Sequence, residues 1–530
     1  MPAKIRAWFS PFTIIERWVL GLLVLSFFVG LNFGFPLTTV TNDEMFFVGS
    51  VFRSLASHSF LPQGLDVPYG TLNYLLSFAL INAGLLGLLP FFHFNLAALQ
   101  TWVAGHYYLF YLAPRLVSVL ALTGLLLLFY QLAREKIKFV ALRLALISLL
   151  FTNVIITAIF HTGKVWGLST FFLVGSALFL YRVWQGDRRY AVWTILFSFL
   201  AVANFPLAGL ALISLPCLYF IYRQQGWPFR ELYRFSAGGL GLLILILAIN
   251  YQGIGEQIRS IVFDYTLSPF ARAYNTPILE SILLFGAKAL LLFTPLWLAL
   301  VASTAKIADR KLFKLALGYL VLYLLAVAVT ARWVHDLSAA FRYLVPVGFF
   351  LTLLIFSLDW RELNRSRQFF IGALVIINLI YFGWTLTLLL RPTTFNLVRD
   401  WTVANLNSPQ TAIINLTGFW YEPPLNQITA LAIQDQFCAS RCQVARRGEG
   451  SVGFQSLVLG NQTRATSTVG RKVFLVSTTT ATTRAGDLVY SISEASYRGS
   501  PQLLDLFGDY SNLNFFRLHH WGEDFYIFRH

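Results

Sequence analysis

Apolar residues fall along this chain in long runs separated by short polar breaks, and the pattern holds from Leu20 to Leu390. Runs near 14–34, 107–130, 139–160, 165–183, 190–203, 206–222, 235–252, 282–303, 315–331, 343–358 and 369–390 predict about eleven transmembrane helices, because about 20 residues rising ~1.5 Å each cross a bilayer core. From about residue 391 the pattern changes to Thr, Ser, Asn and Gly with short alternating segments, KVFLVS from Lys472 and DLVYSIS from Asp487. Alternation with a period of two predicts strands. FFRLHH from Phe515 and DFYIFRH from Asp524 flank Trp521-Gly522-Glu523 and predict a closing hairpin. The expected fold is an α-helical polytopic membrane protein, residues 1–390, followed by a small β-rich α/β domain, residues 391–530.

Composition agrees. The chain is 57% hydrophobic and 12% charged, with 50 Phe and 14 Trp, too little polar surface to coat a soluble globule. The net charge of +16 does not point to nucleic acid, because many basic residues sit in short clusters between apolar runs. These are Arg134/Lys136/Lys138, Arg182/Arg188/Arg189, Arg223/Arg230/Arg234, Lys306/Arg310/Lys311/Lys314 and Arg361/Arg365/Arg367. Such clusters anchor the cytoplasmic ends of membrane helices. Lys4, Arg6 and Arg17 place the N-terminus on the same side, and no small-residue cleavage site follows the first run, so it reads as an uncleaved span. An odd number of spans then puts the C-terminal domain outside the cytoplasm, in a multi-pass protein of the cell membrane.

Residues 69–90 resist this scheme: they are apolar enough to cross, yet crossing there would invert everything downstream. They are expected to form an interfacial or re-entrant helix that starts and ends on the outer side, within a large outer loop over 35–106. A second interfacial helix is expected over 254–266, whose isoleucines share one helical face. Cys438 and Cys442, in the run CASRC, are expected to pair as a disulfide in an oxidising compartment, while Cys217 lies in an apolar run.

Ionisable groups at helix ends carry the candidate chemistry, because keeping them near lipid is costly. Asp43 and Glu44 stand together after the first span, followed by Arg53 and His58. A solvated loop start would look the same locally. His335 and Asp336 precede Arg342 in a later outer loop. His519, His520 and His530 lack partner acids and read as surface residues, so neither a metal nor a cofactor is expected.

Taken in order, Asp43-Glu44, then Pro68-Tyr69-Gly70-Thr71-Leu72-Asn73-Tyr74, then Ala113-Pro114-Arg115-Leu116, then Phe341-Arg342-Tyr343-Leu344-Val345-Pro346, the chain resembles the GT-C superfamily of membrane glycosyltransferases. The likeness is to the branch of protein O-mannosyltransferases and lipid A aminoarabinose transferases, over residues 1–390. Two positions depart from the family pattern. Asp66-Val67-Pro68 and Ala203-Asn204-Phe205-Pro206 lack a lysine that relatives often carry; His161-Thr-Gly-Lys164 stands where some relatives have an acid.

The resemblance implies transfer of a hexosyl or pentosyl group from a polyprenyl-phosphate donor to a hydroxyl of a protein, lipid or glycan on the outer face, with inversion. Asp43 would be the base, with Glu44 assisting it or orienting the acceptor. Arg342, Arg115 and Lys164 would hold the donor phosphate, and Tyr69, His161, His335 and Tyr343 would contact substrate. The partners are the lipid donor, an acceptor and the bilayer. The competing class is a transporter or flippase of lipid-linked glycans, which would carry internal repeats and Gly- or Pro-broken helices; neither is visible in the sequence.

Overall fold

The computed structural model describes residues 13–35, 44–62, 70–259, 277–303, 306–331, 342–361, 364–406, 408, 411–415, 455–458, 472–477, 487–492, 520 and 525–529. In chain order the helices are α1 (Ile14–Phe28), α2 (Glu44–Ala56), α3 (Thr71–Leu88), α4 (Leu96–His106), α5 (Leu112–Lys136), α6 (Val140–Phe151), α7 (Val154–Phe160), α8 (Val165–Trp184) and α9 (Ala191–Asn204). They continue with α10 (Ser214–Gln225), α11 (Phe229–Ile249), α12 (Tyr251–Arg259), α13 (Ile278–Leu292), α14 (Thr294–Ala302), α15 (Arg310–Ala331), α16 (Val345–Phe356), α17 (Arg365–Leu390) and α18 (Thr394–Leu406).

Among the described residues seven helices are long and apolar enough to cross a membrane, and nine if each of two bent pairs is one span. The chain is a multi-pass membrane protein. Each of the eleven expected runs meets a helix, but those at α1, α9 and α16 are only 15, 14 and 12 residues long. All of α16 is buried, as a helix that is hydrophobic all round must be. Its Phe349 sits among Phe129, Phe151 and Phe160, with ring centroids 5.4, 5.8 and 6.4 Å away.

Neither bent pair is expected from the run lengths, although Pro295, in the first turn of α14, marks the second break. α6 and α7 meet at 59°, α13 and α14 at 78°. Breaking a helix inside an apolar bundle frees carbonyls that lipid cannot satisfy. Here amide side chains satisfy them. Asn153, at the first break, donates from Nδ2 to the Leu292 carbonyl at the second (3.0 Å) and accepts the Ile155 amide on Oδ1 (3.1 Å). Asn378 on α17 donates to Thr152 Oγ1 (2.6 Å) and to the Leu149 carbonyl (3.3 Å). The two breaks are therefore fastened together.

The bundle has two chemically different ends. At one end Lys136 meets Asp309 at 2.6 Å, Tyr181 also donates to Asp309, and Arg182 forms a two-pronged pair with Glu135. Arg143 and Tyr130 converge on Glu16 close by α1's N-terminus, where Glu16 also closes a capping box with Thr13. The amides of Ala308 and Asp309 reach the Ser357 carbonyl, both at 2.9 Å. Basic clusters from three of the short loops thus gather at one end. The other end of α5, a helix of 25 residues, holds Glu44 through Arg115.

Within the run expected over 69–90, Thr71–Leu88 form an unbroken helix, α3, extended by a 3-10 turn over Leu89–Phe92. Left-handed residues His93 and Phe94, at φ 51° and 59°, turn the chain into α4. The start of α3 lies beside Asn204 and Asn250, and α5 starts beside Glu44, so the chain enters and leaves this hairpin at the Glu44 end. Of the interfacial helix expected over 254–266, the part within α12 is described and the remainder lies outside the described residues.

Five strands form the C-terminal sheet, β1 (Thr411–Asn415), β2 (Gln455–Val458), β3 (Lys472–Ser477), β4 (Asp487–Ile492) and β5 (Phe525–Arg529), in the order β2-β1-β3-β5-β4. β1 runs parallel to β2 and β3, whereas β5 is antiparallel to β3 and β4. The expected hairpin of 515–520 with 524–530 is corrected by this order: β3 and β4 take both edges of β5, and no edge is left for a third partner. Helix α18 docks the sheet, with Phe395 against Phe525 at 5.0 Å and Trp401 stacked on Tyr490 at 4.4 Å. Its Asn396 donates to the carbonyls of Gly34 and Phe35, tying the domain to the chain just beyond α1.

Two outcomes are expected. Asn153→Leu removes the hydrogen bond that joins the two breaks and destabilises the bundle by about 0.5–1.5 kcal/mol, read as a lowered unfolding midpoint in detergent. A cysteine at Phe91, an exposed position beside the hairpin turn, is labelled by an impermeant reagent from outside the cell. Labelling only from the cytoplasm would mean that α3 crosses.

A candidate active site at the Glu44 end of the bundle

Glu44 opens α2, where a carboxylate is favoured by the helix dipole. It is fully buried and faces Arg115, on the first turn of α5 and also fully buried. Arg115 Nε lies 3.0 and 3.1 Å from the two Glu44 oxygens, and Nη2 lies 2.9 Å from Oε2. The fork geometry of guanidinium suits this two-point contact. Nη1 turns the other way and donates to the carbonyls of Leu31 (2.6 Å) and Phe33 (2.8 Å), in the segment after α1. The Phe35 ring covers the guanidinium at 4.8 Å.

The turn before α8 closes the far side. Gly163 donates its amide to Glu44 Oε1. A Cβ at 163 would lie 2.6 Å from Pro114 Cβ and 3.0 Å from the Arg115 amide, so only glycine lets the turn sit on the start of α5. Asn73 on α3 donates to the carbonyls of Gly163 (3.5 Å) and Lys164 (3.4 Å), and Ser118 adds a contact to the latter at 3.4 Å. Asn204, ending α9, donates to Ser169 Oγ at 2.8 Å and to the Val165 carbonyl at 3.3 Å. Its own carbonyl receives the Gly70 amide at 2.9 Å. Gly70 holds φ 79°, and a Cβ there would lie 2.3 Å from Val165.

Lys164 is the N-cap of α8 and is buried. Two residues on, Trp166 packs edge-to-face on Tyr343 at 4.7 Å and on Phe205 at 4.4 Å. The Arg342 guanidinium lies 5.5 Å from the Trp166 ring and 5.4 Å from that of Tyr343, within cation–π range. Tyr343 is pinned by its carbonyl, which accepts from Tyr323 OH at 2.7 Å. Glu44, Arg115, His161, Lys164, Arg342 and Tyr343 are therefore all found at one end of the bundle. Asp43, Tyr69, His335, Cys438 and Cys442 lie outside the described residues.

Two of the expected contacts take a different form. Arg115, expected at the donor phosphate, is a buried partner of Glu44 and of two carbonyls, which gives it a structural task. His161, expected at substrate, has both ring nitrogens on main-chain carbonyls: Nδ1 is 2.6 Å from Thr157 O and Nε2 2.8 Å from Val29 O. It joins α7 to the segment after α1. Asn73, Asn204 and Gly163 were not singled out for roles, although Asn73 and Asn204 stand within the segments that carry or break the family pattern.

Fold and site together define a class: a polytopic helical membrane protein with a buried carboxylate–guanidinium pair and further cations gathered at one end of its bundle. No protein-family model matches the chain, and no curated protein matches it. Among solved structures it is similar to the crystal structure of ArnT from Cupriavidus metallidurans bound to undecaprenyl phosphate, with a TM-score of 0.41 and 10% identity, over 87% of this chain and 92% of that one. At that score the likeness is loose, and the functional reading rests on the residues above.

Removing one partner of a buried ion pair leaves an uncompensated charge. Glu44→Gln and Arg115→Met are each expected to destabilise the protein by about 3–5 kcal/mol. The double substitution should lose clearly less than the two together, because the residues are in contact. Unfolding curves of the four proteins in detergent check this; strict additivity would mean that the pair is not coupled.

Proposed function

We propose that the protein is a membrane glycosyltransferase of the GT-C type, moving a sugar from a polyprenyl-phosphate donor to an acceptor hydroxyl at the outer membrane face. The observation that supports this reading is the gathering of Glu44, Lys164 and Arg342 at the bundle end opposite the basic clusters. Asp43 is one peptide bond from Glu44, whose position Arg115 fixes.

In this mechanism Asp43 takes the proton of the acceptor hydroxyl as its oxygen bonds to the anomeric carbon. The bond from that carbon to the phosphate oxygen breaks on the opposite side, with inversion. Negative charge grows on the departing lipid phosphate, and Arg342 and Lys164 neutralise it. Arg342 suits this because its charge persists near lipid and its fork binds two phosphate oxygens. Trp166 and Tyr343 hold its plane. Glu44 positions Asp43 and the turn over 161–164.

The transporter reading gains one observation from the structure, the two broken helices, which discontinuous transporter spans also have. At these breaks, however, the polar groups are neutral amides and hydroxyls that satisfy each other, with no ionisable side chain among them.

The test is purified protein with a lipid-phosphate sugar and a candidate acceptor, following release of the sugar-free lipid phosphate. Asp43→Asn is expected to bind donor normally and to turn over about 10²- to 10⁴-fold more slowly. Arg342→Ala should lose turnover and donor affinity together, since phosphate is charged in ground and transition states alike; Arg342→Lys should recover part of both. Near-normal turnover by Asp43→Asn removes Asp43 from the chemistry. Wild-type protein that transfers no sugar but moves the lipid-linked sugar across vesicle bilayers is a transporter.

A further inference from the structure

At the basic end of the bundle, α8, α10 and α15 enclose a cavity of about 290 Å³. Its mouth carries Trp184, Gln224 and Lys314, each near the end of its helix, and its depth is apolar, reaching Leu322. From Lys314 to Leu322 is eight residues of helix, about 12 Å along the axis. Phe220 and Leu322 line the cavity and are also exposed, 57% and 41%, so it opens sideways between helices, toward lipid.

Three features make this a built site. Gly318 forms part of its wall in the middle of α15, and a Cβ there would meet nothing within 4 Å. Glycine is a poor helix residue, and no neighbour in the protein requires it; what it supplies is room. Lys314, at the mouth, is exposed and has no ion-pair partner among the described residues. Beside it Lys311 is exposed and donates to the Trp184 carbonyl at 2.7 Å, while the nearby acid Asp309 is already taken by Lys136 and Tyr181. The mouth therefore offers positive charge and the depth offers an apolar channel, the complement of an anionic head on a hydrocarbon chain.

We propose that this groove binds one acyl chain of an anionic phospholipid, with its phosphate against Lys314 and its chain over Gly318. The site does not depend on the reaction proposed above. It lies at the end of the bundle opposite Glu44, so the phosphate it meets belongs to the other leaflet from the one where a donor would react.

Cys217 lines the same cavity and serves as the reporter. The full-length protein in detergent is treated with N-ethylmaleimide, and modification at Cys217 is followed by peptide mass spectrometry as lipid is added. Phosphatidylglycerol is expected to slow modification, and phosphatidylcholine with the same chains to bind about fivefold more weakly, the scale of one lysine's attraction to an anionic surface. Lys314→Gln should bring phosphatidylglycerol to the phosphatidylcholine level. Gly318→Leu, which has room in the empty groove, should abolish the lipid dependence while thermal unfolding stays near wild type. Equal protection by both lipids in the wild type, or protection by neither, overturns the proposal. So does protection by polyprenyl phosphate but not phosphatidylglycerol, which would assign the groove to the donor's tail.

Discussion

The contact between Glu44 and Arg115 organises the Glu44 end of this molecule. Four separate stretches of chain meet on it: the carbonyls of Leu31 and Phe33, the start of α2, the start of α5 and the Gly163 turn. In water such a pair contributes little; the exposed Arg189–Asp187 contact at 3.6 Å is of that sort. Buried, each member is costly to leave alone, so the four stretches are bound to assemble together. Hydrogen bonds then spread the constraint outward, through Asn73 and Asn204, to α3, α8 and α9.

Charge and amide are divided along the bundle for the same reason. Paired ionised groups cluster at its two ends, where water or headgroups are within reach; the exception to the division is Lys288, inside α13, whose ammonium lies 5.9 Å from the Phe285 ring. The breaks inside it are mended by Asn153, Asn378 and Thr152. An amide can both donate and accept, so one side chain at a break satisfies a freed carbonyl and a freed N–H without the solvation penalty of a charge. The sharp bends are tolerated in a lipid-facing protein because their polar groups point at one another.

How much of this was legible in the sequence follows the range of each interaction. Apolar run length is local, and the eleven runs correspond to helices. Whether a run is one helix or two is only partly local. Asn153 at the first break holds the Leu292 carbonyl at the second, 139 residues away, while the second break also carries a local mark, Pro295 in the first turn of α14. The sheet order escaped for a similar reason: Phe525–Arg529 looks like half of a hairpin, but its edges are filled by β3 and β4, which lie earlier in the chain. In the site, Glu44 and Arg342 were marked by residue type and position, and Arg115 and Lys164 through the family resemblance. That Glu44 and Arg115 are partners, 71 residues apart, was not, and it changes what both can do.

The change bears on the adjacent acids. Glu44 already accepts from Nε and Nη2 of Arg115 and from the Gly163 amide. For it to receive a substrate's proton, a hydroxyl would have to displace one of these charge-assisted bonds inside a site closed by Phe35 and the Gly163 turn. Each such displacement leaves a buried donor unpaired, so the pair that builds the site resists serving as its base. Glu44 thus holds helices in place, and under the proposed function the proton transfer falls to its neighbour Asp43.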